Sequence, residues 1–206
     1  MSEIAPTRRE SRRLRTREQV LETALRLFET HGYEATTVTE IVRHADIAYG
    51  TFFNHFPTKL DLLREISDRS LCDLFESVEE VRKLPGGFAG KLVALFESSS
   101  ARAEEKGPRM RELTGAMMSL AFPESGGHED RRIRLAFGAI LADGLAAGEL
   151  REGAELDIVT EIVVGTWYSL FLSWVHFENV PLRERASRAG RFLAEVLVAR
   201  AAGESQ

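Results

Sequence analysis

Between residues 49 and 56 stand side chains suited to hydrogen bonding with a patterned polar surface rather than to breaking bonds. Asn54 offers an amide that donates and accepts, Thr51 a hydroxyl, His55 an imidazole, and Tyr49 and Phe53 two aromatic rings. On a helix turning about 100° per residue, Phe52 and Phe56 share one stripe, which must point inward if the segment is to bury anything. Asn54 then lies opposite, flanked by Gly50 and Thr51, with Tyr49 and Phe53 on one shoulder and His55 on the other. Such a face fits the major groove of a duplex, where Asn and Thr bond base edges and apolar atoms meet thymine methyls. Catalytic chemistry finds no comparable grouping. His31, His44, His55, His128 and His176 lack metal-ligand spacing, and Gly86, Gly87 and Gly90 lack the Lys-Ser/Thr ending of a phosphate loop. The expectation is a chain with no catalytic residues, no metal and no cofactor.

The elements that hold this face read clearly. Thr37 and Glu40 form a Thr-x-x-Glu capping box, so a helix starts near Val38 and carries Ile41, Val42 and Ala45. Asp46 and Ile47 make the turn, and a second helix runs from Ala48 or Tyr49 to Phe56, stopped by Pro57. Upstream, Thr16 and Gln19 suggest another capping box, for a helix that turns Val20, Leu21, Ala24, Leu25 and Phe28 inward and ends at Gly32. Downstream, Thr58 caps a helix with Leu60, Leu63, Leu71, Leu74, Phe75 and Val78 that stops before Pro85. At about 1.5 Å per residue it is nearly 40 Å long, enough to link a head to a separate body.

The stretch from Thr36 to Leu63, within a match that runs from about Thr16, resembles the DNA-binding signature of the tetracycline-repressor (TetR-like) family of transcriptional regulators. The resemblance implies an all-α fold, an N-terminal helix-turn-helix domain and a helical body that binds an effector and dimerises. It places Thr37 and Thr39 at the start of the first motif helix, Tyr49, Gly50, Thr51, Phe53 and Asn54 on the reading helix, and His55 and Lys59 at the phosphates. Three positions depart from the pattern. Asp46 replaces the usual turn Gly but tolerates the left-handed conformation. Ala48 replaces a capping Ser, and Phe53 replaces a Tyr.

Charge is divided to match. The net charge is −5, yet residues 1–60 hold nine Lys and Arg against eight Asp and Glu, while residues 61–206 hold 18 against 24. Arg8, Arg9, Arg12, Arg13, Arg15 and Arg17 face only Glu10 over ten residues, a basic arm that attracts phosphate or reaches a minor groove. The organisation expected is an arm over 1–15, a DNA-binding domain over 16–62 and an effector-binding and dimerisation domain over 63–206. Cys72, the single cysteine, rules out an intrachain disulfide, and with no apolar leader the protein is expected in the cytoplasm. Residues 158–175 are apolar enough to pass for a membrane span, but Glu161, Thr166, Ser169 and Ser173 favour a buried soluble helix.

The body reads as helices near 88–106, 108–122, 129–147, 156–178 and 182–202, with the loop at 123–127 as the flexible spot. Phe88, Leu92, Phe96, Met110, Leu113, Met117, Phe137, Trp167 and Phe171 supply the large apolar groups from which an effector site could be lined. A homodimer is expected on the last two helices, through the small stripe Gly165, Ser169 and Ser173 and a second stripe of Ala186, Gly190, Leu193 and Leu197. The residues thus point to a repressor that binds a palindromic operator and is released by a small apolar ligand. Two other readings remain open: a helix-turn-helix protein whose body binds another protein, and an enzyme or carrier that uses the apolar body.

Overall fold

A computed structural model describes residues 7–105, 107–120 and 128–199, which form nine helices among the described residues. Phe122 and the loop at 123–127 lie outside them. The chain divides into two compact units, residues 1–67 and 68–206.

In the first unit α1 spans Arg8–His31, starting nine residues earlier than a Thr16 cap would have it. Thr7 and Glu10 form an equivalent box upstream: the Thr7 hydroxyl accepts from the Glu10 amide, and the Glu10 carboxylate accepts from the Thr7 amide. The Arg-rich segment from Arg8 to Arg15 is therefore helix and not an unstructured arm. Thr16 instead donates to the Arg12 carbonyl at 3.1 Å, and Gln19 donates to the Ala45 carbonyl at 2.7 Å, tying α1 to the end of the next helix. Helix α2 (Val38–His44) carries the Thr37–Glu40 box as expected. Asp46 takes φ 49°, the left-handed turn that usually asks for Gly, and α3 (Tyr49–His55) follows. Ala48 makes no side-chain cap to α3.

Phe28, Ile41, Phe52, Phe56, Leu62 and Leu63 are the fully buried large side chains of this unit. Leu63 and Ile66 turn inward from α4 (Lys59–Lys83), but Leu60 does not; it is 40% exposed. It lies off the helical face that Leu62, Leu63 and Ile66 share.

The second unit holds the rest of α4, α5 (Phe88–Glu105), α6 (Gly107–Ser119), α7 (His128–Ala146), α8 (Leu156–His176) and α9 (Leu182–Leu197). Helix α8 is long and apolar enough to cross a membrane by length and composition, and nine of its residues, Val159 to Trp174, are buried in the unit's core. Helix α9 packs chiefly on α5, which overturns the expected role of its small stripe. Ala186, Gly190, Leu193 and Leu197 are buried inside their own chain, and a Cβ on Gly190 would stand 3.2 Å from the Phe96 Cβ and 3.3 Å from the Val93 Cα. The small residues admit α5, not a second protomer. Helix α9 also stops at Leu197, short of the expected 202, because the backbone turns into an antiparallel bridge: Arg151 N donates to Leu197 O and Ala199 N to Glu149 O, both at 2.8 Å.

Two ion pairs join α4 to α7 within this unit. Arg82 grips Asp143 with two donors, Nε at 2.6 Å and Nη2 at 3.0 Å, and Arg132 reaches Asp68. The fork raises the Arg82 pKa and lowers that of Asp143 through its hydrogen bonds.

Candidate nucleic-acid interface

Helix α3 has only two turns, so its position comes from what it stands on. Phe52 and Phe56 are buried with ring centroids 5.9 Å apart, and Phe52 also meets Phe53 edge-on at 5.2 Å. Arg17 fastens the other end. Its Nη1 donates to the His55 carbonyl at 2.9 Å, its Nη2 to Glu65 at 2.8 Å, and its guanidinium lies 4.4 Å from the Phe56 ring centre. The last carbonyls of α3, which have no partner inside the helix, thus find a cation.

Above this base the outward face is open. Tyr49 is 55% and Phe53 40% exposed, their rings 5.1 Å apart, and Asn54 is exposed beside them. Thr51 is half-buried, and a Cβ on Gly50 would meet nothing within 4 Å. Thr39 stands exposed on the first turn of α2.

Three expected contact residues are engaged with the protein itself. The Thr37 hydroxyl is taken by Glu40, donating to its carboxylate at 2.9 Å and accepting from its amide at 3.2 Å. These bonds hold the exposed Glu40 carboxyl below its ordinary pKa. The Lys59 ammonium donates to the Tyr33 and Thr36 carbonyls at 2.6 and 3.0 Å and sits 4.1 Å from the Tyr33 ring centre, stitching the α1–α2 connection. His55 leaves the open shoulder for a partly buried place: its Nδ1 is covered and has no hydrogen-bond partner among the described residues. Burial first, then the Arg13 and Arg17 charges, push its pKa down.

A cleft of about 250 Å³ opens beside α3, lined by Arg9, Arg12, Arg13 and Thr16 together with Asn54 and His55. Starting the first helix at Thr16 hides it. The signal was in the spacing, since residues 9, 12, 13 and 16 fall on one helical face once the helix begins at Arg8.

In the second unit the expected effector residues gather in the core. Phe96, Phe137, Trp167 and Phe171 form a run of rings, with centroid separations of 6.3, 5.7 and 4.3 Å, and the Trp167 indole donates to Ser99 at 3.2 Å. Phe88 and Leu92 belong to the same core. Met110 and Leu113 are buried, and Met117 is half-buried with its sulfur 3.8 Å from the Ser70 hydroxyl.

Residues 20–66 match the family described as bacterial regulatory proteins, tetR family. The chain is 26% identical over 161 residues to the helix-turn-helix transcriptional repressor KstR2 of Mycolicibacterium smegmatis, covering 75% of this chain and 77% of that protein. A shorter match, 38% over 72 residues and 34% of each chain, links it to the transcriptional regulator AcrR of Shigella flexneri. The fold is similar to that of the transcriptional regulator FadR from Bacillus subtilis, solved with stearoyl-CoA, at a TM-score of 0.72 and 19% identity over 87% of this chain and 98% of that one. FadR of Thermus thermophilus, a repressor solved with lauroyl-CoA, gives a TM-score of 0.72 at 24% identity over 92% and 99% of the two chains. With the capped α2, the left-handed turn at Asp46 and the open face of α3 in one N-terminal unit, residues 20–66 form a helix-turn-helix domain of the tetR family of bacterial regulatory proteins, followed by a helical body similar in fold to that of tetR-family regulators.

Proposed function

We propose that the protein is a cytoplasmic repressor that binds a palindromic operator as a homodimer and is released when a small apolar ligand enters its body. The observation that carries the reading is α3, a two-turn helix whose buried rings leave Tyr49, Gly50, Thr51, Phe53 and Asn54 facing outward. Asn54, Thr51 and Tyr49 read base edges, Phe53 meets thymine methyls, and Gly50 lets the helix approach closely. Thr39 and the arginines of α1 meet phosphates. Thr37 shapes the site by capping α2 and Lys59 by holding the α1–α2 connection.

A palindrome requires two heads near a spacing of about 34–36 Å or a multiple of it. The face that suits dimerisation is the uncovered one: Ile158 and Ile162, each about half exposed, in line with exposed Gly165 and Ser169 on α8, and Phe192 and Val196 on the free side of α9. Exposed large apolar side chains set along helices in this way suit burial against a partner. The ring run around Trp167, with Phe88, Leu92, Met110, Leu113 and Met117, is the candidate effector region. Fatty acyl-CoA esters head the ligand panel because the Bacillus subtilis and Thermus thermophilus proteins were solved with them.

The test begins with a duplex recovered from a random-sequence pool on the wild-type protein, followed by footprinting and sedimentation of the complex. Two protomers on a two-fold site are expected. An effector found by thermal shift must then bind more weakly to the operator complex than to free protein, by the factor by which it weakens operator binding. Calorimetry that finds equal effector affinity with and without operator would overturn the release mechanism.

A further inference from the structure

The cleft between the first turns of α1 and the end of α3 presents three guanidiniums on one helical face. Among the described residues Arg9, Arg12 and Arg13 have no carboxylate partner, in contrast to Arg17 one turn further on, which is spent on Glu65 and the His55 carbonyl. Glu10, the acid that lies among them in sequence, is turned to Thr7, and its bonds to Thr7 keep it ionised below the usual carboxylate range. Thr7 and Glu10 also cap the start of α1, so the attraction for an anion comes from side chains and not from free helix amides.

Like charges gathered this way repel until an anion neutralises them. Opposite them stands His55, whose covered Nδ1 lacks a partner among the described residues. The groups that bear on its charge are Arg9, Arg12, Arg13 and Arg17 on α1, all cationic, and Glu65 on α4, which is already paired with Arg17. In the free protein this surrounding disfavours a proton on His55. A phosphate placed among the arginines would reverse the local field, giving Nδ1 or its ring partner an anion to face.

We propose that the cleft is a seat for a single backbone phosphate of the bound duplex, shared by Arg9, Arg12 and Arg13, and that His55 takes up a proton as the phosphate enters. The proposal rests on the reading of α3 as the groove-binding helix, since Asn54 borders both the outward face and the cleft. It adds two properties which that reading lacks: several arginines acting on one phosphate, and operator affinity that rises as pH falls.

Both are measurable by fluorescence anisotropy on the selected duplex, with the intact wild-type protein, R12Q/R13Q and His55→Gln, each first checked for an unchanged melting curve. Because the salt slope counts phosphates and not cations, losing two arginines from a shared seat lowers it by about one unit. Wild-type affinity should rise between pH 8 and pH 6, by at most about tenfold per pH unit for one proton, and His55→Gln should flatten that rise. A duplex carrying one uncharged methylphosphonate at the flanking position should weaken the wild type and cost R12Q/R13Q nothing more. An unchanged slope, a fall of two units, or a pH profile that survives in His55→Gln overturns the seat while wild-type binding stands. Inorganic phosphate that displaces the duplex beyond its ionic-strength effect would assign the cleft to a free anion and overturn the proposal. A wild-type protein that selects no duplex sinks the α3 reading itself.

Discussion

Replacing Arg17 by Met should loosen the reading helix without removing a phosphate contact. The substitution keeps an apolar stem over Phe56 and deletes the guanidinium that bonds the His55 carbonyl at 2.9 Å and Glu65 at 2.8 Å. The charge-assisted bond to the carbonyl is worth about 1.5–3 kcal/mol. The pair with Glu65 adds under about 1 kcal/mol, since both side chains are roughly one-third exposed, and the contact with the Phe56 ring adds about 0.5–1 kcal/mol. These terms share one side chain and do not add independently, so a total of about 2–3 kcal/mol is expected. Both tryptophans, Trp167 and Trp174, lie in the second unit, so tryptophan fluorescence does not report on this loss. Hydrogen exchange read by mass spectrometry on the α3 peptide does: protection should fall roughly 30- to 150-fold, with α8 unchanged. The salt slope of DNA binding should stay at its wild-type value. Wild-type exchange in α3 combined with a salt slope one unit lower would mean that Arg17 serves DNA directly, and the anchoring argument would be wrong.

The proposed dimer face separates cleanly from the packing stripe. I162E or F192E should give a folded monomer in sedimentation, whereas Gly190→Arg should unfold the second unit because its side chain has no room between α9 and α5; a soluble, folded G190R monomer would restore the stripe as an interface. Lys59→Met should leave the three carbonyls of Tyr33, Glu34 and Thr36 without their cation and destabilise the first unit by about 1–3 kcal/mol, visible as faster exchange around Tyr33 to Thr36. Ala48→Ser supplies the cap that α3 lacks and should slow exchange in α3, gaining about 0.5–2 kcal/mol; no change would show that the introduced hydroxyl does not reach the capping geometry.

The helix-turn-helix was legible because local chemistry decides it: one capping box, one left-handed turn and one proline sit within residues 37–57 and need no distant partner. The start of α1 was harder. Thr7-x-x-Glu10 and Thr16-x-x-Gln19 are similar signals, and only the bond from Gln19 to Ala45, between residues far apart in sequence, shows that the second is not a cap. The same holds for Lys59 and His55, whose types suit phosphate but whose neighbours, a row of carbonyls and a row of arginines, come from elsewhere in the chain. In the body, periodicity marked α9 as two-faced without telling which partner its small face admits. Glycine at 190 is required by close approach of a helix, and a helix of the same chain satisfies that requirement as well as a copy would. Helix ends set by tertiary pairing, such as the stop at Leu197 before the bridge to Leu150, leave no local mark at all.

The shortness of α3 bears on how such a protein can change its target. Seven residues are too few to hold a helix alone, so its stability is borrowed from Phe52, Phe56 and Arg17, none of which belongs to the outward face. The residues proposed to read sequence carry almost no structural duty, and those that carry it lie beneath the outward face. Specificity is therefore free to drift: exchanges at Tyr49, Thr51, Phe53 and Asn54 can be tried one at a time, without compensating changes in the core, and a duplicated gene could acquire a new operator long before its fold felt the difference.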